Sequence, residues 1–436
     1  MRISVIGLGR LGLVHAAALA SLGHTFVGVE MDTERVRKIH DGTLEMHEPG
    51  LADLVRTALT DGTLDVTSEP SASLGARAHF LTVGTPELAP NEGFDASYLE
   101  NALRTLAPSL QPGDLVIGKS TVPPGTAAAL TAQLHRESPD AELAWNPEFL
   151  AEGTAVRDTL APQRLIYGVS SPEAARLLDE VYAPILDTGT QRVITDLATA
   201  ELVKLATNAF LATKISFINT IARLAATSGA DALQTAQLLG ADPRIGASHL
   251  HPGLGYGGGC LPKDTRGLAY FAQQAGVMEA AQFFAQVDAV NTAQRQHITE
   301  WVTAQCRGRQ EPQVAILGAS FKADTDDTRE SPSIALAHAL MNAGLRVRIA
   351  DPVVTASCGA DSRLEFVRTA EEAMREADVT LVATAWPDYQ RLDPEELLSV
   401  VRCPLIVDTR NCLDPARWRN AGWEYHAMFD PVMRLR

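Results

Sequence analysis

The residues best suited to covalent chemistry lie in the segment HisProGlyLeuGlyTyrGlyGlyGlyCysLeuProLysAsp, residues 251–264. Five glycines within seven positions lead directly into Cys260, and a Lys263–Asp264 pair follows. Because glycine loses the most backbone freedom on folding, so dense a run indicates that the backbone must approach another group closely. A thiol at its end predicts a nucleophile for covalent redox chemistry. The alternative is a glycine-rich turn with an inert, buried cysteine.

A second set of polar residues interrupts a long apolar stretch. Lys204 and Asn208 are spaced i, i+4 and therefore share one helical face, with Glu201 and Lys214 nearby. An ammonium beside an amide can bind an oxyanion or help to lower the pKa of a thiol. The alternative is an ordinary solvated stripe on a helix.

The N-terminus carries the pattern GlyXGlyXXGly at Gly7, Gly9 and Gly12. The motif follows a predicted strand, opens a predicted helix, and precedes Glu30 at the end of the next predicted strand, with Asp32 as a second candidate carboxylate. In that context the glycines allow close approach of a pyrophosphate, and the carboxylate selects NAD over NADP. The alternative is a tight turn with an ordinary surface acid.

Three loops follow predicted strands, where open α/β sheets place their ligands. The loop at 146–153 carries Glu148 and Glu152, either of which could serve as a general base. Its alternative interpretation is a helix N-terminus with favourable acidic residues. The loops at 84–86 and 120–126, with Thr85 and Thr121, also fit ordinary turn chemistry.

The elements that must position these residues alternate between strands and helices. Such alternation predicts doubly wound parallel sheets, and the predicted strands are 3–6, 25–30, 79–83, 114–119, 142–145, 164–168, 313–317, 346–350, 379–383 and 405–408. Between the two sets, residues 196–228 predict one helix about 50 Å long, and further helix is predicted from about 264 to 306. Residues 308–312 form a polar linker.

The predicted architecture is α/β, with two Rossmann-like domains joined by a helical central domain. We expect an NAD-binding domain at 1–195, a central helical domain at 196–307, and a second Rossmann-like domain at 312–436. A helix as long as 196–228 can pack against a copy of itself, which predicts a homodimer.

The bulk composition excludes several classes of function. A net charge of −16 argues against nucleic acid or an anionic membrane as partner. Five cysteines without CxxC spacing fit neither a zinc site nor a disulfide framework, so no metal is expected and the reducing cytoplasm is the expected compartment. We find no targeting segment and no apolar run of the roughly 18 residues that a membrane span requires.

Taken in order, these motifs resemble those of the UDP-glucose/GDP-mannose dehydrogenase family over essentially the whole chain. Further matches are PheLysAlaAspThrAspAspThrArgGluSerPro near 321–332 and AspThrArgAsn at 408–411. AspProArgIleGly at 242–246 resembles the branch that oxidises UDP-glucose. Glu30, where the family usually has Asp, and Ala151, which replaces a frequent Arg, depart from its pattern.

The resemblance implies a four-electron oxidation of the C6 alcohol of UDP-glucose that uses two NAD. Cys260 would form a thiohemiacetal and then a thioester, Lys204 and Asn208 would stabilise the oxyanions, and Asp264 and Thr121 would hold a water. Glu148 or Glu152 would be the hydrolytic base.

The resemblance also implies that 196–307 serve dimerisation and catalysis and that 312–436 bind the nucleotide sugar. It further implies two sets of binding residues. The NAD set is Gly7, Gly9, Leu11, Gly12, Glu30, Arg35, Thr85, Thr121, Glu152, Lys263 and Arg329. The nucleotide-sugar set is Glu148, Phe149, Leu150, Lys204, Asn208, Arg244, Tyr256, Gly257 and Lys322. Two alternatives stay open, namely oxidation of GDP-mannose or another nucleotide sugar, and a nucleotide-binding scaffold without chemistry. The second is disfavoured because every implied catalytic residue is present.

Overall fold

A computed structural model describes residues 1–89, 92–355, 363–430 and 433. The chain divides into two compact units, one formed by 1–207 with 270–276 and the other by 208–269 with 277–436. Each unit contains one large sheet flanked by helices.

The first unit is built on eight strands in the order β3-β2-β1-β4-β5-β6-β7-β8. Its strands are β1 Arg2–Ile6, β2 Thr25–Val29, β3 Leu64–Thr67, β4 Ala78–Leu81, β5 Leu115–Gly118, β6 Glu142–Trp145, β7 Arg164–Gly168 and β8 Gln191–Thr195. Strands β1, β4 and β5 are buried along nearly their whole length, as expected for parallel strands covered on both faces. The order of the first six is that of a dinucleotide-binding sheet, which confirms the predicted fold class.

Helices cover both faces of this sheet and complete two apolar cores. They are α1 Arg10–Ala20, α2 Thr33–His40, α3 Leu51–Thr60, α4 Ser97–Leu106, α5 Thr126–Glu137, α6 Ala155–Leu160 and α7 Pro172–Leu186, followed by α8 Leu197–Ser228.

One strand pairing departs from the predicted parallel sheet. Strands β6 and β7 pair antiparallel, at Trp145 and Gly168, whereas β7 and β8 pair parallel again. The connection between β6 and β7 contains only the six-residue helix α6, which is about 9 Å long at 1.5 Å per residue. The chain enters β7 from the end of the sheet at which β6 finishes, so no crossover connects these two strands.

Helix α8 confirms the predicted long helix, and Asp196 caps its N-terminus by accepting a hydrogen bond from Thr199 N at 2.8 Å. By length and composition alone α8 could cross a membrane, so the statement that no stretch is apolar enough is wrong by this criterion. Charged residues interrupt each apolar run, but the average hydropathy over 18 residues still reaches 1.2. Glu201 and Lys204 are buried in the protein, and core helices of globular proteins pass the same test.

The second unit carries a six-stranded parallel sheet in the order β11-β10-β9-β12-β13-β14. Its strands are β9 Gln313–Leu317, β10 Arg346–Ala350, β11 Glu365–Val367, β12 Val379–Val382, β13 Leu405–Asp408 and β14 Glu424–Ala427. The helices after α8 are α9 Ala232–Ala241, α10 Leu261–Gln274, α11 Met278–Gln305, α12 Pro332–Asn342, α13 Ala370–Met374, α14 Pro387–Gln390, α15 Pro394–Leu397 and α16 Pro415–Asn420.

The helix predicted from about 264 to 306 is wrong in one respect, since it consists of two helices. Helix α10 ends at Gln274, and Gly276 adopts a positive φ of 76° before α11 begins at Met278. A left-handed glycine just past a helix is a common termination signal.

Candidate active site

The glycine turn between β1 and α1 has the geometry that a dinucleotide requires. Gly7 has a φ of +93°, and its N–H donates to Val29 O at 2.8 Å. A Cβ on Gly12 would collide with the carbonyl oxygen of Gly7 and lie 2.6 Å from Thr82 Oγ1, whereas a Cβ on Gly9 would meet no atom within 4 Å. Gly7 and Gly12 thus serve the turn and its packing, and Gly9 leaves space beside the N-terminus of α1, where Leu11 lies.

Glu30 follows β2 and faces this turn. Its carboxylate accepts hydrogen bonds from Leu8 N at 2.9 Å and Asp32 N at 3.0 Å, and it pairs with Arg35 at 3.1 Å. Asp32, the second candidate, caps α2 by accepting from Glu34 N and Arg35 N. The carboxylate beside the turn is therefore Glu30, and the residues present fit the ribose end of NAD.

Thr85 and Thr121 connect the loops that follow β4 and β5. Thr85 Oγ1 donates to Thr121 O at 2.7 Å, and Ser120 Oγ donates to Val83 O at 2.6 Å. These two bonds hold the loops after β4 and β5 together. Both loops lie at the C-terminal ends of the strands, as does the glycine turn that follows the neighbouring strand β1.

Glu148 and Lys204 form a nearly buried ion pair within the first unit. Glu148 Oε1 lies 2.8 Å from Lys204 Nζ, and its Oε2 accepts from Leu150 N at 2.7 Å. The Lys204 ammonium also lies 5.5 Å from the ring centre of Phe149, and the Arg164 guanidinium lies 4.5 Å from the same ring. The predicted residues Glu148, Phe149, Leu150 and Lys204 are thus brought together.

Glu152 has a different neighbour. Its carboxylate lies 3.5 Å from Arg10 Nη1, and Arg10 belongs to the glycine turn. Glu48 accepts hydrogen bonds from Gly153 N and Ala155 N, each at 2.7 Å, and so holds the start of α6. The two carboxylates of this loop therefore have different partners. Glu148 pairs with Lys204, and Glu152 pairs with Arg10 of the glycine turn.

Sequence reasoning missed the contacts of two buried charged residues in the first unit. Lys119 donates to Asn146 Oδ1 at 2.9 Å, and burial lowers its pKa to about 7. Glu201 accepts from Gly125 N and Ala127 N at the start of α5, while burial raises its pKa to about 7. Glu201 belongs to the same sequence motif as Lys204. Its contact with the start of α5 could not be predicted, because it depends on how α8 packs against that helix.

Cys260 immediately precedes α10 in the second unit and is exposed. Asp264 N donates to Cys260 O at 2.9 Å in the first turn of the helix. The positive end of a helix dipole favours a negative charge at this position, and hence a thiolate. The alternative of a buried cysteine is wrong, because Cys260 is exposed, and the reactivity of the thiol stays a prediction.

The glycines before Cys260 are required by close packing. A Cβ on Gly257 would collide with the carbonyl oxygen of Glu330, one on Gly258 would lie 2.8 Å from the Phe321 ring, and one on Gly259 would lie 2.6 Å from Arg329 Cζ. Gly258 also has a φ of +83°. The backbone that leads to the thiol therefore lies directly against the segment 321–330.

Asp264, Asn208 and Lys263 form a hydrogen-bonded group one helical turn beyond the thiol. Asn208 Nδ2 donates to Asp264 Oδ2 at 2.6 Å, and Lys263 Nζ lies 2.8 Å from Asp264 Oδ1. Asp264 is only 1% exposed, so its two oxygens are held by an amide and an ammonium rather than by solvent.

The remaining predicted residues of the second unit fall into two groups. Arg329 pairs with Asp327 at 2.7 Å, its guanidinium lies against Gly259, and Lys322 lies 5.7 Å from the ring centre of Phe321. Arg244 is instead directed at solvent, with its side chain 87% exposed and paired with Asp242 at 2.6 Å.

Three polar side chains that the sequence interpretation did not assign hold the glycine-rich segment. Asn291 accepts from Tyr256 N at 2.9 Å and donates to Tyr256 O at 3.0 Å. Arg410 donates to Gly255 O at 3.1 Å, and Asn411 donates to Pro252 O at 2.8 Å. Arg410 and Asn411 belong to the motif at 408–411, which was the available signal.

The doubly wound sheet, the glycine turn and the adjoining Glu30 together define an NAD-binding domain of the kind that dehydrogenases carry. Family models for the UDP-glucose/GDP-mannose dehydrogenase family match the chain in three parts, the NAD binding domain at 1–186, the central domain at 198–293 and the UDP binding domain at 315–415. The chain belongs to this family, and its cofactor is NAD.

Individual relatives agree with that assignment. A UDP-glucose 6-dehydrogenase from Pseudomonas aeruginosa is 36% identical over 446 residues, which cover 99% of this chain and 98% of that protein. The solved UDP-glucose dehydrogenase of Pyrobaculum islandicum is 33% identical with a TM-score of 0.88, covering 98% of this chain and 97% of that one. A UDP-D-ManNAc dehydrogenase from Pyrococcus horikoshii is 28% identical with a TM-score of 0.86, covering 99% and 100%.

Proposed function

We propose that this enzyme oxidises UDP-glucose at C6 to UDP-glucuronate through covalent intermediates on Cys260. The observation that carries the proposal is an exposed thiol at the start of α10, one turn from the buried group of Asp264, Asn208 and Lys263. A thiol in that position would have beside it groups that can hold a proton or stabilise an oxyanion, which supports a role as nucleophile.

Bound NAD would supply the two-electron oxidant for each of the two oxidation steps. Cys260 would capture the intermediate aldehyde as a thiohemiacetal, whose oxidation gives a thioester. Covalent capture keeps the aldehyde from escaping. Lys204 and Asn208 would stabilise the oxyanions, and Thr121 and Asp264 would hold the water that hydrolyses the thioester.

We assign the hydrolytic base to Glu148 rather than Glu152. Glu148 pairs with Lys204, the proposed oxyanion ligand, whereas Glu152 lies against Arg10 in the glycine turn. A base must lie within reach of the water that it activates, and the ammonium that stabilises the oxyanion marks the position of the reacting carbonyl. Glu152 would instead belong to the NAD contacts, with Gly7, Gly9, Leu11, Gly12, Glu30, Arg35, Thr85, Thr121, Lys263 and Arg329.

The nucleotide sugar would be bound by Phe149, Leu150, Tyr256, Gly257 and Lys322 in addition to the catalytic groups. Burial, followed by the nearby charges of Lys214, Lys322 and His251, lowers the pKa of His249, and the two lysines among these neighbours would favour a diphosphate. Arg244 extends into solvent, where it would reach the sugar in the site of a second subunit.

The three parts of the chain would divide this work. Residues 1–195 would bind NAD, 196–307 would supply catalytic groups and the dimer contact, and 312–436 would bind the UDP portion. A −16 chain that acts on a small metabolite would work in the cytoplasm without nucleic acid or membrane as partner.

A homodimer would form through α8. Phe210, Phe217 and Leu224 recur every seven residues and so lie on one face, although they are 64%, 52% and 58% exposed. Light scattering during gel filtration should show a dimer, and Phe217→Asp should shift it toward monomer. Leu398→Asp, at another exposed apolar side chain, is the matched control and should leave the dimer intact.

The activity is tested by mixing purified protein with NAD and UDP-glucose, GDP-mannose or N-acetylated UDP-sugars while following NADH. Two NADH per UDP-glucose, with UDP-glucuronate as product, is the expected result. Turnover with only another sugar would overturn the substrate assignment. Silence with every sugar despite NAD binding would overturn the enzymatic proposal.

A further inference from the structure

Lys119 is a buried cation at the end of β5, immediately before the loop that carries Thr121. Its side chain is almost fully enclosed, with the residue 6% exposed. The cost of removing an ammonium from water is high unless it is paired or hydrogen-bonded. An apolar side chain would fill the same space without that cost, so the charge calls for an explanation other than packing.

The hydrogen bonds of Lys119 join the ends of two neighbouring strands. Its Nζ donates to Asn146 Oδ1 at 2.9 Å and contacts Tyr182 Oη at 3.3 Å, while Tyr182 Oη donates to Asn146 Oδ1 at 2.6 Å. Asn146 is fully buried, donates to Ile166 O at 2.9 Å, and is the first residue of the loop that carries Glu148. The three side chains therefore fix the starting point of that loop.

The charged and titratable groups around Lys119 come from four elements. His15 faces it from α1, Tyr182 from α7, Glu148 from the loop after β6, and Lys204 from α8. Burial lowers the pKa of Lys119 to about 7, while Glu148 raises it and Lys204 lowers it. Because electrostatic coupling is reciprocal, the charge of Lys119 acts equally on the Glu148–Lys204 pair.

We propose that Lys119 is a positioning residue that fixes the loop carrying Glu148 through Asn146 and Tyr182 and sets the charge balance of the Glu148–Lys204 pair. This inference rests on the proposed function, in which Glu148 and Lys204 take part in the reaction. When Lys119 is charged, it stabilises the Glu148 carboxylate and weakens it as a base. When Lys119 loses its proton, Glu148 becomes more basic and the Lys204 ammonium is favoured.

The first test compares the pH profile of kcat for the wild type, Lys119→Met and Tyr182→Phe with NAD and UDP-glucose. Lys119→Met keeps the length of the side chain but removes its charge. We expect kcat to fall about 10-fold, a change of one decade, because the hydrogen bond from Lys119 to Asn146 that fixes the loop carrying Glu148 is lost. We also expect the ionisation near pH 7 to disappear from the profile. Affinity for NAD should stay within about twofold, since the described side-chain hydrogen bonds of both residues go to one another and to Asn146 rather than to the glycine turn.

Tyr182→Phe is the matched control, because it removes a hydroxyl from the same cluster but keeps the Lys119–Asn146 bond. Its profile should retain the ionisation near pH 7. Glu201, whose pKa is also about 7, is present in all three proteins and so does not produce a difference among them. A Lys119→Met enzyme with lowered stability but an unchanged profile would refute the positioning role.

The second test does not depend on turnover. Since the pKa of Lys119 is lowered in the folded state, the unfolded chain binds more protons between about pH 7 and 10.5, and stability rises with pH across that window. From pH 7 to 9 the unfolding constant of the wild type should fall about 50-fold relative to Lys119→Met, from pKa values of about 7 folded and 10.5 unfolded.

Denaturant titrations at pH 7, 8 and 9 measure this difference. Equal pH dependence in both proteins would show that Lys119 does not titrate in this range and would overturn its role in the charge balance. If the wild type oxidises no nucleotide sugar, the proposed function fails, and the stability comparison still decides whether Lys119 is a buried group that titrates near pH 7.

Discussion

Gly9 and Gly12 belong to one motif, yet the structure gives two different reasons for the absence of a side chain. Gly9 has a φ of −70° and a ψ of −164°, and a Cβ there would meet no atom within 4 Å. A Cβ on Gly12 would collide with the carbonyl oxygen of Gly7. The fold therefore requires glycine at 12, whereas only a bound ligand requires it at 9.

Gly9→Ala should leave the protein folded and weaken the cofactor. Alanine adopts the backbone angles of Gly9 without strain, so the free energy of unfolding should rise by about 0.4–1 kcal/mol. The new methyl group would separate the pyrophosphate from the backbone N–H groups. Loss of one charge-assisted hydrogen bond costs about 1.5–3 kcal/mol, so the Kd for NAD should rise about 10- to 150-fold.

Gly12→Ala should instead lower the stability of the protein first, and weaken NAD binding only as a consequence. Helix α1 must shift to relieve the collision with Gly7, and overpacking of this kind costs about 1–3 kcal/mol. Stability should fall, and NAD affinity should fall as a consequence of the displaced turn.

Denaturant titration and calorimetric titration with NAD measure both quantities for each variant. A Gly9→Ala protein that is destabilised as much as Gly12→Ala would show that Gly9 serves the fold. A Gly9→Ala protein that binds NAD normally would show that the cofactor does not approach this backbone.

Three further predictions concern single side chains. Cys260→Ser should bind NAD and UDP-glucose but lose nearly all two-step turnover, because an alkoxide is harder to form and leaves less readily; near-normal NADH yield would refute Cys260 as nucleophile. Glu148→Gln should slow thioester hydrolysis and accumulate an acylated enzyme visible by mass spectrometry, whereas the same result for Glu152→Gln alone would reverse the assignment of the base. His15 is fully enclosed, and among the described residues its ring nitrogens have no hydrogen-bond partner; burial and Lys119 lower its pKa. Below the ordinary pKa of 6.5 the unfolded chain therefore binds more protons than the folded one. The protein becomes less stable as the pH is lowered through this range. Denaturant titrations between pH 7 and 5 should show a smaller loss for His15→Leu than for wild type, while His135→Gln, at an exposed histidine, should behave as wild type.

The strands that the sequence predicted and those it missed differ in their place in the sheet. The four missed strands, β3, β8, β11 and β14, are the edge strands of the two sheets. Strand β8 is largely exposed, whereas β9 and β13 are buried throughout. Central parallel strands appear in a sequence as continuous apolar runs, but edge strands lack that signal.

The candidate site was predictable where a motif is local and not where contacts join distant segments. The glycine turn, Glu30 and the cysteine at a loop end follow from short patterns. Lys119 stands at the start of a motif, but its partners Asn146 and Tyr182 lie 27 and 63 residues away. The choice between Glu148 and Glu152 likewise depends on Lys204 and Arg10, which no spacing along the chain connects to them.

Each candidate catalytic carboxylate is fixed by partners of its own unit rather than by solvent. Glu148 is held by Lys204 and Leu150 N, and Asp264 by Asn208 and Lys263. Charged groups that are already held in position need little reorganisation when charge develops in the transition state. Such preorganised electrostatic stabilisation is usually the largest single contribution to catalysis. In the proposed mechanism, an oxyanion formed on the substrate would compete with Glu148 for the Lys204 ammonium, whose position is already fixed by that pair. Binding and orientation of the reacting group would therefore be coupled at Lys204.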